Sequence, residues 1–64
     1  MREAELWERL RRHLGDGYAS VWADTQVLVG LQGRTVAEAL GQGVPSKTIW
    51  RAAWSALELP LRER

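Results

Sequence analysis

Apolar side chains return every three or four residues along most of this chain, the period of an α-helix. Leu6, Trp7, Leu10 and Leu14 form one such stripe, and the pattern predicts a first helix over 3–14. Its acids come early and its bases late, which suits the helix dipole. Glu5 with Arg9 and Glu8 with Arg12 are spaced as acid-to-base pairs one turn apart. Gly15-Asp16-Gly17 ends this helix, with Asp16 expected as a turn or cap residue. Tyr18, Val21, Trp22, Thr25, Leu28 and Val29 continue the helical period and predict a second helix over 17–31. Val27-Leu28-Val29 alone would suit a strand, but three residues inside a longer helical pattern are more economically read as helix. Gly30 and Gly33 loosen and end it.

Thr35-Val36-Ala37-Glu38 is a capping box and opens a short third helix over 35–41, with Val36, Ala39 and Leu40 on its buried side. Gly41-Gln42-Gly43 terminates it. A fourth helix is expected over 45–58, with Ser46 as its cap or Pro45 at its first helical position. Ile49, Trp50, Ala53, Trp54 and Leu57 give it a broad apolar face, and Lys47, Arg51, Ser55 and Glu58 the opposite one. Pro60 stops it and leaves 59–64 as a frayed tail. No segment alternates with period two. The expected fold is all-α, one domain over 1–64, a bundle of four short helices with the last two arranged like a helix-turn-helix.

Composition narrows the chemistry. A chain of 64 residues buries little core, and this one has no cysteine and a single histidine, His13. Disulfide staples and zinc are therefore excluded as sources of stability, and packing or a partner must compensate. Nine Lys and Arg against eight Asp and Glu give a net charge of +1, no signature of a nucleic-acid or membrane surface. No cofactor, metal site or catalytic residue is expected. The chain lacks a nucleophile–base–acid order, a recognisable carboxylate pair and a phosphate-binding glycine loop. His13 is expected as a partner of the first helix's C-terminal dipole, and Asp24 as an acceptor for a backbone N–H or for Arg34. A charged beginning and the absence of a long apolar run lead to a cytoplasmic expectation. Eight Arg to one Lys, with much Ala, Gly and Val, suggests a GC-rich genome.

Trp7-Glu8-Arg9, Tyr18-Ala19, Trp22-Ala23-Asp24 and Gln26-Val27-Leu28 stand in order along the first half. Gly33 to Leu40, Gly43-Val44-Pro45, Trp50-Arg51-Ala52 and Pro60 follow. This order resembles a family of small actinobacterial proteins known as a domain of unknown function, over nearly the whole chain. The resemblance implies a gene often close to that of the DNA-repair recombinase, hence a DNA-repair setting, and no catalytic residues. Ala4 departs from the hydroxyl residue expected to cap the first helix.

A second, local resemblance covers Ala39 to Ala52. Ala39, Gly43, Val44 and Ile49 stand where helix-turn-helix units place a small residue, the turn glycine and two buried aliphatics. Ser46, Lys47, Thr48 and Arg51 would then face phosphates and base edges. Glu38 and Gln42 sit where buried apolar residues are usual, and only two of these contacts are basic.

Four tryptophans in so small a domain supply core and surface at once. Trp7 and Trp22 are expected in the core; Trp50 and Trp54 are the candidate partner surface, Trp54 the more exposed. The sequence reads as a non-enzymatic helical interaction module that binds a protein partner or itself. The alternative is a small helix-turn-helix accessory that binds DNA.

Overall fold

The computed structural model describes residues 1–64 and contains four α-helices and no strand. The first, α1, spans Glu3–Leu14 and sets Leu6 and Leu10 fully inside. Arg9 donates to Glu5 over 3.1 Å and Arg12 to Glu8 over 3.4 Å on its outer face. These exposed pairs contribute about 0.3–0.5 kcal/mol each. No side chain caps its start at Arg2. Gly15 alone joins α1 to α2, Asp16–Thr25, with φ 88° and ψ 153°, a region open essentially to glycine. Asp16 is thus the first residue of α2, beside its N-terminal dipole, and not its cap.

The second helix is shorter than the expected 17–31. Thr25 donates its hydroxyl to the Val21 carbonyl over 2.7 Å, and Gln26 leaves in extended conformation (φ −85°, ψ 114°). Inside it, Ala19, Trp22 and Ala23 make the buried stripe, while Tyr18, Val21 and Thr25 are exposed. The expected stripe was centred on the β-branched and aromatic residues. Two alanines instead face inward, which lets α2 lie close to α1 and α3.

The third helix, α3, covers Val36–Gly41 behind a complete capping box. Glu38 N–H donates to Thr35 Oγ1 over 3.1 Å, and Thr35 N–H donates to Glu38 Oε1 over 2.9 Å. It ends in a Schellman turn: Gly43 at φ 81° donates to Leu40, and Val44 donates to Ala39. The fourth helix, α4, covers Ser46–Ala56, with Pro45 flanking it and no side-chain cap. Neither expected start holds as stated: Ser46 is already helical and Pro45 lies just outside. Its end repeats the Schellman geometry, Glu58 donating to Ser55 and Leu59 to Trp54, with Glu58 at φ 53° where glycine is usual.

Thirteen apolar residues from every helix and from the 28–31 segment form one core, in which Trp50, Leu6, Leu10 and Leu28 are the largest fully buried side chains. The segment after α4 is not frayed. Leu61–Glu63 makes a 3-10 turn that lies against α4, described below.

Thr35 is itself buried. Thr35→Ala orphans the Glu38 N–H and should cost about 1 kcal/mol. For a domain this size that lowers the melting temperature by about 4–8 °C. An unchanged calorimetric melting curve would show that the box contributes nothing in solution.

Candidate interaction surface

Two surfaces emerge from this fold, one at the 26–34 segment and one where the chain leaves α4. In the first, backbone bonds close a compact loop. Leu28 N–H donates to Arg34 O and Gly33 N–H donates to Leu28 O, both over 3.0 Å. Val29–Leu31 forms a 3-10 turn, and Gln32 and Gly33 follow with φ of 59° and 79°. Leu28 and Leu31 point into the core. Gly30 lies so close to α4 that a Cβ there would stand 2.9 Å from the Ala52 Cβ, inside van der Waals contact. Only glycine lets the two backbones meet at this distance.

With Leu28 and Leu31 turned inward, their neighbours turn outward. Val27 is 56% exposed and Val29 98%. Together with Gly30, Ala52, Ser55 and Ala56 they line an open groove of about 490 Å³ between the loop and α4. Isolated exposed aliphatics are ordinary, but two valines flanking one groove on a backbone locked at both ends form a patch.

The second surface holds the expected partner residues, and the structure corrects one of them. Trp50 is 1% exposed, so it is core and not surface. Its indole N–H donates to the Glu63 carbonyl over 3.0 Å. His13 stacks on the ring with 6.0 Å between centroids, and the Arg9 guanidinium lies 5.5 Å from the ring centre. Trp54 is half-buried, donates to the Pro60 carbonyl over 2.8 Å and carries the Arg64 guanidinium at 5.6 Å. Trp22 is core as expected, whereas Trp7 is only half-buried, with Arg11 over its ring.

His13 reaches Glu63 Oε1 over 3.1 Å, a partner fifty residues away that helix-dipole reasoning did not supply. Asp24 is exposed and meets neither Arg34 nor a backbone N–H; Arg34 donates instead to Gln32 over 3.4 Å. Of the residues considered for nucleic acid, Lys47, Thr48 and Arg51 are exposed on α4 and Ser46 is half-buried. Thr48 and Arg51 flank Gly30, so that side of α4 is shared with the valine loop. No three His, Cys, Asp or Glu side chains converge on a point where an ion would sit.

A family model for proteins of unknown function, DUF3046, matches residues 1–62. The chain belongs to this family. Neither a curated protein nor a solved structure matches it. Family membership brings no activity with it, so the functional reading rests on the surfaces just described. No helix is long and apolar enough to cross a membrane.

The exposures order the tryptophans. In the wild-type chain, a soluble paramagnetic agent should quench the indole resonances of Trp54 and Trp7 more strongly than those of Trp22 and Trp50. Trp22→Ala should cost about 3–5 kcal/mol and unfold the domain. Equal quenching at all four positions would contradict the burial described here.

Proposed function

We propose that this chain is a non-enzymatic helical interaction module, binding a protein partner or a second copy of itself through the Val27–Val29 loop and the adjoining face of α4. The observation that carries this reading is the near-complete exposure of Val29 on a backbone fixed by the Leu28–Arg34 pairing and the Gly30–Ala52 contact. A pre-ordered apolar loop loses little conformational freedom on binding, so most of its burial appears as affinity. A stable interface covers about 800 Å² per partner. That is roughly a fifth of this protein's 4187 Å² surface. The valines would therefore form the centre of the contact, with Gln26, Arg51 and Ser55 as its polar rim. The expectations of an actinobacterial source, a cytoplasmic location and a DNA-repair setting belong to the same proposal.

One observation favours a second reading, a helix-turn-helix accessory that binds DNA. Gly43 takes the left-handed turn between α3 and α4, Ala39 and Ile49 are buried beside it, and Lys47 and Arg51 face solvent. Two phosphate contacts give a shallow salt dependence, with a slope of about −2 in log K against log salt. Lys47→Ala with Arg51→Ala should flatten it, and no binding to duplex DNA at low salt would end this reading.

The leading reading is tested at Val29. Val29→Asp changes a fully exposed side chain, so its effect on stability should stay within about 0.5 kcal/mol. Sedimentation should show wild-type self-association, or wild-type protein should retain a discrete host protein on a column, and the variant should lose whichever is seen. Retention or self-association unchanged by Val29→Asp would refute this surface as the binding face.

A further inference from the structure

The segment that follows α4 is bound as a ligand is bound. It runs antiparallel to the helix, its Pro60 carbonyl on the Trp54 indole and its Glu63 carbonyl on the Trp50 indole. The two indoles stand one helical turn apart, about 6 Å of rise, which matches two carbonyls three residues apart in the 3-10 turn of this segment, at about 2 Å per residue. Pro60 enters the face in polyproline II conformation, φ −60° and ψ 154°. From there the segment turns back on itself, Glu63 N–H donating to the Pro60 carbonyl over 2.9 Å, and the turn sets both carbonyls towards the indoles.

Beyond these two carbonyls the face reads one side chain. His13 meets the Glu63 carboxylate at 3.1 Å, beside the Arg9 guanidinium that covers Trp50. The intervening residues contribute little: Leu61 is 72% exposed and the Arg62 side chain points to solvent, its Nε 3.9 Å from Glu63. The segment is thus held by main-chain carbonyls and one acid, groups that any Pro-x-x-Glu sequence carries, together with the Arg64 guanidinium over Trp54. Its anchor to the body is Glu58, a non-glycine residue held at φ 53°. That conformation closes the Schellman turn of α4 and sets the direction in which the segment leaves the helix.

We propose that the His13–Trp50–Trp54 face is a recognition groove for Pro-x-x-Glu segments of a protein partner that turn once in 3-10 conformation, occupied by the chain's own Pro60–Glu63 until such a segment displaces it. This groove lies apart from the valine loop, and its test is independent of Val29. The internal segment competes at the millimolar effective concentration of a short tether, so weakening it unmasks the groove.

The probe is a synthetic peptide with the sequence of residues 59–64, blocked at both ends, titrated into the full chain and followed by the indole N–H resonances. Glu63→Ala removes the internal carboxylate and keeps both carbonyls. The peptide should bind this variant about tenfold more tightly than wild type, the weight of one charged hydrogen bond. It should shift the Trp50 and Trp54 indole signals and leave Trp7 and Trp22 in place. Replacing its proline and glutamate by alanine should remove that binding. Should Glu63→Ala fail to fold, Glu63→Gln serves as the milder variant in the same titration. A folded variant that shows no shift at Trp50 and Trp54 at millimolar peptide, or binds the alanine peptide equally well, overturns the proposal.

Discussion

A buried indole keeps one polar atom that cannot be left dry, and in this protein that atom is Nε1 of Trp50. The ring is the largest fully buried side chain, set by α4 against α1. Its size supplies much of the apolar burial available to a domain that has neither disulfide nor metal. The N–H must then find an acceptor, because an unpaired buried donor costs about 1–3 kcal/mol. No helix supplies one. The Glu63 carbonyl does, and the chain beyond α4 is folded back to deliver it. Once Glu63 is there, its carboxylate meets His13 and the preceding Pro60 carbonyl meets Trp54.

A second constraint acts on the opposite side of α4. Gly30 meets Ala52 at a distance that excludes any side chain, which presses the 28–31 segment onto the helix. Leu28 and Leu31 fill the core from that segment, and the residues between and beside them are left outside. The exposure of Val27 and Val29 is thus a consequence of packing their neighbours. A partner would use a surface that folding already holds still. The two faces of α4 carry different chemistry, an apolar patch on one side and paired indole donors on the other.

Much of the architecture is legible in the sequence because it is local. The Thr35–Glu38 box, the Gly43 turn, the α1 ion pairs and the glycine stop at 15 each depend on residues within one or two turns. The all-α class follows from helical periodicity and from the absence of alternation. What misleads is tertiary. Val27-Leu28-Val29 alternates in and out as a strand does, but the longer helical period hides it until Leu28 is seen buried and Val29 exposed. Ala19 and Ala23 outrank Tyr18 and Val21 as core because close helix approach rewards small side chains, which a hydrophobicity stripe cannot express. The segment after Pro60 reads as a tail because its carbonyl contacts leave no mark on the sequence and its one acid meets a histidine fifty residues away. For the same reason Trp50 and Trp54 share one apolar stripe, yet one is sealed and the other half open.

The dependence of the fold on the Trp50 hydrogen bond is most directly tested by hydrogen exchange of the indole N–H groups. Only Trp50 and Trp54 donate an indole bond to the protein. The Trp50 signal should exchange slowest of the four, while the half-buried Trp7 exchanges rapidly. A Trp50 indole proton that exchanges as fast as that of Trp7 would show that the segment after α4 does not hold it, and would contradict the account.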